Sequence, residues 1–283
     1  MALVRRPPAL FRSAAACLFW LAGISAAFAG GTLSATVGSA DGDAVVSLGG
    51  RLEAADPRGL GLQLEGLTQH IGDTDFNGLG GHLFRRTAGG GLAGLFAGVG
   101  RYDAPDVAGT DLVVAGLEGQ VFVERLRLTG QLGGIDVDPG NTEALAVADA
   151  TWLGDRWTIG GGAGDVADAQ WFYVEGALRL NRIGPEIWAY AGTVGGDSDT
   201  VYGGVDWRPG GSARWSLFAE VAAGENNYDH LLAGARLYFG RKIAAPTLSL
   251  FDPVTGSVRG IVPSSGVHME DMMDTQTTRG MRR

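Results

Sequence analysis

The sequence predicts an all-β protein: a closed, antiparallel, up-and-down β-barrel that crosses a membrane. Three observations predict it: an N-terminal export segment, repeated period-two alternation of apolar and polar residues, and the lack of a long apolar run after residue 30. A transmembrane helix needs about 20 apolar residues, whereas a tilted transmembrane strand needs about 9–11. Segments of strand length recur along the chain, and none of helix length follows the export segment.

The first 29 residues have the features of a secretory signal peptide in the right order. Three arginines precede an apolar run from 14 to 28, and Ala27-Phe28-Ala29 forms a small-x-small cleavage site. A membrane anchor helix is the alternative, but a run of about 15 apolar residues is short for a span. We therefore expect residues 1–29 to be removed, together with Cys17, the one cysteine of the chain.

The strands are predicted from alternation. It is clearest in 125–132, 168–180 and 213–223, where an apolar face lies opposite a face with charged residues. Similar segments fall at 59–69, 77–86, 91–102, 111–122, 143–153, 156–164, 184–194, 199–208 and 228–239, which makes twelve strands. Two weaker candidates, 32–38 and 44–53, would make fourteen. A bacterial single-chain barrel has an even number of strands. The two weaker candidates are therefore either both strands or both not strands.

The connections suggest which end of the barrel faces which compartment. Outer-membrane barrels have short periplasmic turns and longer external loops. Short connections are expected at 87–90, 123–124, 154–155, 181–183 and 209–212, and longer ones at 70–76, 103–110, 135–142 and 195–198. Trp152, Trp157, Trp207, Trp215, Tyr238 and Phe239 all lie next to the short set or at the end of the last strand. They predict an aromatic girdle at the periplasmic interface.

The last predicted strand carries a family resemblance. Its sequence from His230 to Phe239 resembles the terminal assembly signal of bacterial outer-membrane barrels, with Gly234, then Leu237 three residues on, then Phe239 two beyond. The resemblance implies that the barrel-assembly machinery recognises this strand. It departs from the family in one respect, because 44 residues follow Phe239. The wider chain, including Gly78–Phe84 and Gly91–Phe96, resembles an alphaproteobacterial group of such porin-like barrels.

Composition sets the remaining boundaries. The barrel is expected over 30–240, and 241–283 has another character, with three prolines and a polar Met-rich run. We predict that this tail is a mostly disordered periplasmic extension.

The signal peptide holds three of the 22 basic residues and no acid, so 19 basic and 31 acidic residues remain, a formal charge of −12. No basic stripe is present, so nucleic acid is not an expected partner.

Charged side chains that alternate with the apolar residues are predicted to line the lumen. They comprise six acids and six bases: Glu65, Glu118, Arg125, Arg127, Glu175, Arg179, Glu186, Asp206, Arg208, Arg214, Glu220 and Arg236. One interpretation is an ion-pair network that holds and partly fills the barrel, because unpaired charges in a narrow lumen are costly. The other is a charged constriction that selects solutes. The balance of signs favours pairing.

Other chemistries have weaker signals. Residues 73–78 fit the opening of a calcium loop, but its twelfth position is Phe84 rather than a glutamate, so a polar hairpin turn is favoured and no metal or cofactor is expected. A barrel-embedded lipid hydrolase would need a serine nucleophile near a histidine, and no recognisable motif provides one, so we expect no enzyme. His82 and His230 alternate with apolar neighbours and are expected to bond lumen charges. Glycine runs such as 160–162 lack the ending of a phosphate loop.

Three functions follow as expectations. The first is porin-like passive passage of small polar solutes across the outer membrane. The second is a non-conducting structural or surface-exposed barrel, because open channels are typical of about 16–18 strands. The third, which the sequence favours least, is the barrel-embedded lipid hydrolase. A soluble β-sandwich or solenoid competes as a fold, although a solenoid should show a fixed repeat. The expected partners are outer-membrane lipid and the assembly machinery; the sequence leaves the oligomeric state open.

Overall fold

The computed structural model describes residues 30–55, 59–87, 91–105, 107–138, 142–166, 169–181, 185–196, 199–210, 213–225, 228–240, 249–251 and 260–262. Fourteen strands form a closed barrel in which each strand pairs antiparallel with its neighbours in sequence, and β1 pairs with β14. The strands are β1 Gly30–Ala40, β2 Asp43–Ala55, β3 Leu60–Ile71, β4 Thr74–Arg86, β5 Leu92–Ala104, β6 Val107–Val123, β7 Leu126–Asp138, β8 Thr142–Leu153, β9 Trp157–Val166, β10 Ala169–Arg179, β11 Glu186–Gly195, β12 Thr200–Arg208, β13 Trp215–Gly224 and β14 Asp229–Gly240.

The closing seam settles the strand number. β1 and β14 pair along their whole length, from Gly30 opposite Gly240 to Ala40 opposite His230. Both weak candidates are therefore strands, β1 and β2, and the prediction of a closed antiparallel barrel with twelve or fourteen strands is confirmed at fourteen. In the described ranges, no helix is long and apolar enough to cross a membrane. The predicted signal peptide lies outside the described residues.

Both termini of the barrel lie at one end, which we call the terminal end; the other is the far end. The connections at the far end are two to four residues long, and those at the terminal end are two to six. The prediction of longer loops at the far end is therefore wrong. Polar residues at 70–76 and 103–110 belong mostly to strands. His70 pairs with Asp75 across β3 and β4, and Arg101 pairs with Asp111 just outside the second range. Loop length thus gives no orientation.

The outer face of the barrel is apolar. Large aliphatic residues in the middle of strands, such as Leu117 at 60% and Leu132 at 63% exposure, point outward. Trp152, Trp157, Trp207 and Trp215 also point outward, and all four lie at the terminal end. Trp207 and Trp215 are in edge-to-face contact with ring centroids 5.6 Å apart. This is the arrangement of an interfacial aromatic girdle. Tyr238 differs, because Arg208 lies over its ring on the inner side.

Two further strands lie beyond the barrel sequence, in the predicted tail. β15 Ser249–Phe251 and β16 Gly260–Val262 pair in parallel. Leu250 is fully buried, and its backbone N–H donates a hydrogen bond to the Glu65 carboxylate. These two segments are therefore ordered against the barrel. The rest of 241–283 lies outside the described residues, so its predicted disorder stays a prediction.

Candidate functional site: the lumen of the barrel

Most of the charged residues predicted for the lumen lie on the inward faces of their strands. Inward residues are recognised by their burial, because side chains alternate between the two faces of a strand. Ten of the predicted residues are inward by this criterion: Glu65, Glu118, Arg127, Glu175, Arg179, Glu186, Asp206, Arg208, Glu220 and Arg236.

Two predicted lumen residues are placed elsewhere. Arg125 lies in the turn between β6 and β7, with its side chain 54% exposed and 3.3 Å from Asp155. Arg214 lies in the connection before β13 and is exposed. In each case the alternating pattern continues one residue beyond the strand, so it includes a residue of the connection. Both side chains belong to the rim of the terminal end rather than to the lumen.

The terminal half of the lumen is lined by arginines in ion pairs. The inward arginines are Arg51, Arg86, Arg127, Arg179, Arg208 and Arg236. Arg179 and Arg208 share one partner, Glu186, at 3.1 and 3.6 Å. Arg236 pairs with Asp206 and lies 4.1 Å from the centroid of the Phe218 ring. The side chains of Arg179, Arg208 and Arg236 are one quarter to one third exposed, so water reaches this half of the lumen.

A buried histidine joins two carboxylates near mid-height. The His82 Nδ1 atom is 2.8 Å from Glu118 Oε2, and its Nε2 atom is 3.2 Å from Glu65 Oε1. Gln131 Nε2 donates to the same Glu118 oxygen at 3.4 Å, and Arg51 lies 3.4 Å from Glu65. Both oxygens of Glu65 and the Oε2 atom of Glu118 thus have polar partners, as burial of charge requires, whereas Glu118 Oε1 is buried without a described hydrogen bond. This is the role expected for His82.

The second inward histidine belongs to a similar cluster at the far end. His230 Nε2 is 3.0 Å from Glu220 Oε1, and its Nδ1 atom is 3.0 Å from the Tyr228 hydroxyl. Burial and the nearby carboxylates of Asp41, Glu220 and Asp229 raise the pKa of the Tyr228 phenol. The hydroxyl therefore stays protonated over the physiological range.

A repeated three-strand rung was not recognised in the sequence. In each rung a tyrosine lies across a glycine of the next strand and donates to a carboxylate one strand further. The three rungs are Tyr173–Gly162–Asp149, Tyr202–Gly192–Glu175 and Tyr190–Gly204–Glu220. The signal lies in residues far apart in sequence, so alternation along one strand does not show it. The rungs explain part of the chain's 48 glycines.

From β4 to β11 the far half of the lumen is lined mainly by apolar side chains, in contrast to the expected polar lining. Its inward side chains form what we call the apolar collar: Phe76, Tyr102, Leu112, Ile135, Leu145, Trp171 and Val194, each at most 5% exposed. They belong to one buried cluster that also contains Leu250. Runs such as Leu112-Val113-Val114 are apolar on both faces, which is typical of strands buried on both sides. At this level the interior is packed.

Charge is divided between the two ends. Of the eleven arginines in the described part of the chain, ten lie in the terminal half and one, Arg101, at the far end. The far end carries twelve of the described carboxylates, which we call the acidic rim: Asp41, Asp43, Asp73, Asp75, Asp103, Asp111, Asp136, Glu143, Asp165, Asp199, Glu225 and Asp229. The barrel therefore has an axial charge asymmetry that the interspersed sequence does not display.

The calcium-like segment 73–78 lies largely on strand β4. Asp75 and Asn77 of the calcium-like segment lie on β4 and bond His70 and Thr68. Among the described residues, no group of three or more His, Cys, Asp or Glu could hold a metal ion. The described hydrogen bonds of His82 and His230 reach carboxylates and a tyrosine, with no serine among these partners.

The predicted assembly signal lies at the closing seam. The Phe239 ring lies against Gly31 on β1, where an added Cβ would come within 2.5 Å of it. Gly234 is covered in the same way by the Phe218 ring, at 2.4 Å. Leu237 points outward and is 49% exposed. Recognition by the assembly machinery remains a prediction.

No family model matches the chain, and no curated protein matches it. Similar solved structures include the outer membrane protein Omp33 of Acinetobacter baumannii, 10% identical with a TM-score of 0.49, covering 75% of this chain and 99% of that one. A mutant of the Rh. blastica porin is 10% identical with a TM-score of 0.41, covering 74% and 99%. A loop-deletion mutant of OmpT, an outer membrane protein of Vibrio cholerae, is 13% identical with a TM-score of 0.40, covering 74% and 98%.

Proposed function

We propose that the chain is a bacterial outer-membrane β-barrel with a porin-like role, the passive passage of small polar solutes. The observation that carries the proposal is the closed ring of fourteen strands with an apolar outer face. In hydrocarbon every backbone N–H and C=O must pair within the protein, and a closed barrel achieves this without an edge. In water the same outer face would be a large exposed apolar surface, which soluble monomers avoid.

The terminal half of the lumen supports passage of polar solutes. Fourteen strands spaced about 4.8 Å apart and tilted by about 40° enclose a backbone cylinder of roughly 14 Å radius. Arg179 and Arg208 keep more than one quarter of their side chains exposed and share the single carboxylate of Glu186. Paired but hydrated charges suit a vestibule for polar solutes.

Reconstitution tests both parts of the proposal. The mature chain, folded in detergent, should migrate differently in gels before and after heating, and should conduct ions in planar bilayers when the lumen is open. The double variant Arg179→Gln/Arg208→Gln leaves Glu186 uncompensated, so ion selectivity should shift toward cations. Arg214→Gln, on the exposed rim, is the matched control and should shift selectivity less. A folded barrel that never conducts would refute the channel.

A non-conducting structural barrel is the second candidate, and one observation favours it. The apolar collar is at most 5% exposed, so the far half of the lumen is packed rather than open. A small barrel filled by its own side chains would serve as an envelope anchor or surface platform. Absence of conductance in every variant, with heat-modifiable migration retained, would select this candidate.

A further inference from the structure

The tail strands lie inside the barrel rather than beside it. Leu250 of β15 is fully buried in the same cluster as Leu67 on the inward face of β3 and Phe76 of the apolar collar. Its backbone N–H bonds Glu65, an inward carboxylate of β3 that also contacts Arg51 and His82. Glu65 therefore anchors a segment that follows the last barrel strand.

The connection is long enough for this path. β14 ends at Gly240 at the terminal end, and β15 begins at Ser249. The eight intervening residues reach at most about 30 Å when extended. Glu65 is five residues from the start of β3 at the same end, which corresponds to about 17 Å along the strand. The tail can thus enter the lumen from the end where the barrel sequence stops.

The two tail strands span the lumen. β15 contacts β3 and β4, whereas its partner β16 contacts β9. β3 and β9 are six strands apart in a ring of fourteen, so they face each other across the barrel. The inward residues of β9 include Gly160, Gly162 and Gly164, and the rings of Tyr173 and Trp171 on β10 lie across the last two. The two tail strands therefore bridge opposite walls of the barrel.

We propose that the segments 249–251 and 260–262 form a plug that is held in the lumen by Glu65 and the apolar cluster and that closes the pore until it is displaced. The position of the plug is independent of transport. Its closing action rests on the proposed porin-like function. Together with the collar, the plug accounts for a fourteen-stranded lumen that is packed in its far half while the arginine-lined half stays hydrated.

Cysteine pairs in the full mature chain test the position of the plug. The mature sequence has no cysteine of its own, so Leu250→Cys with Leu67→Cys introduces one possible disulfide. Leu250→Cys with Leu62→Cys is the matched control, because Leu62 lies on the same strand but points outward, with 38% exposure. Mild oxidation of the folded barrel should cross-link the first pair and leave the second free. Equal cross-linking of both, or of neither, overturns the proposal.

Labelling gives a second measure of position. In the single variant Leu250→Cys, a water-soluble maleimide should react at least about tenfold more slowly with the folded barrel than with unfolded chain, because reaction waits for local opening. Equal rates in the two states would overturn the lumen position.

Conductance of the same disulfide variant tests closure. The oxidised Leu250→Cys/Leu67→Cys protein should carry little or no current. Reduction of the disulfide should restore a fluctuating current as the plug leaves and re-enters the lumen. Leu250→Asp in the full chain should raise the open fraction several-fold without cross-linking chemistry. If cross-linking occurs but oxidation leaves an existing current unchanged, the plug does not close the pore. If cross-linking occurs and no variant ever conducts, the plug position stands and the porin-like function fails.

Discussion

Glycine and aromatic residues form complementary pairs on neighbouring strands of the barrel wall. At Gly192 an added Cβ would lie 2.5 Å from the Tyr202 hydroxyl and 2.6 Å from the Val174 carbonyl oxygen. The same close approach occurs at Gly162 beneath Tyr173 and at Gly204 beneath Tyr190. The glycines give the tyrosines a flat surface, and the tyrosines cover the backbone that the glycines leave bare.

Gly192→Ala should therefore destabilise the barrel. The new methyl group meets a backbone oxygen that cannot move away, and such overpacking costs about 1–3 kcal/mol. Gly176→Ala is the control, because the nearest atom to its Cβ is 3.9 Å away. Denaturant unfolding from vesicles measures both. Equal stability of the two variants would contradict the close packing at Gly192.

The hydroxyl of each rung is expected to matter separately from its ring. Tyr202→Phe removes the hydrogen bond to Glu175 at 3.0 Å, and a bond to a charged acceptor contributes about 1.5–3 kcal/mol. Tyr238→Phe loses a 3.2 Å bond to the neutral Ser216 hydroxyl and should cost about 1 kcal/mol or less. Unfolding free energies that fail to rank in this order would argue against the rung as a stabilising unit.

At the scale of the strand, each barrel strand has an outward face and an inward face with different surroundings. The outward face of β6 carries Val113, Leu117 and Val121, all more than half exposed. Its inward face carries Leu112 in the collar and Glu118 in the histidine cluster, both buried. Alternation places the residues correctly on two faces, but it identifies neither the partner across the lumen nor the level at which the lining changes from charged to apolar.

A charge on the outward face distinguishes lipid from water. Leu117→Arg, in the middle of β6, should cost about 2–4 kcal/mol in a bilayer, because arginine at the midplane loses its hydration. Val123→Arg, at the last residue of the same strand, should cost about 0–1 kcal/mol. Folding equilibria into vesicles provide the comparison. A harmless Leu117→Arg would mean that this face meets water.

The whole barrel combines an acidic rim at the far end with inward arginines in the terminal half. Fixed charges of opposite sign at the two mouths attract opposite ions and make the field along the axis asymmetric. Hairpins as tight as Asp41-Gly42, both with positive φ, hold these carboxylates close to the mouth.

An open pore should consequently rectify, passing more current at one polarity of voltage than at the other. Neutralising four rim carboxylates, Asp41, Asp73, Asp136 and Asp199, to asparagine should reduce the ratio of the two currents. The measurement is the current–voltage curve at low salt, where screening is weakest. A symmetric curve in the unmodified protein, or a ratio insensitive to these changes, would rule out the rim as its cause.

The sequence alone determined the barrel, because period-two alternation and strand length follow from local chemistry along each strand. It also determined the inward position of most lumen charges and the outward position of the four tryptophans. Arg125 and Arg214 were misplaced because a pattern does not state where a strand stops. The tyrosine–glycine–carboxylate rungs, the apolar collar, the charge asymmetry between the ends and the entry of Leu250 into the lumen were decided by tertiary structure. Each of these features depends on residues of different strands that meet at one level of the closed barrel. The register between paired strands decides which residues meet, and the sequence of a single strand does not specify that register.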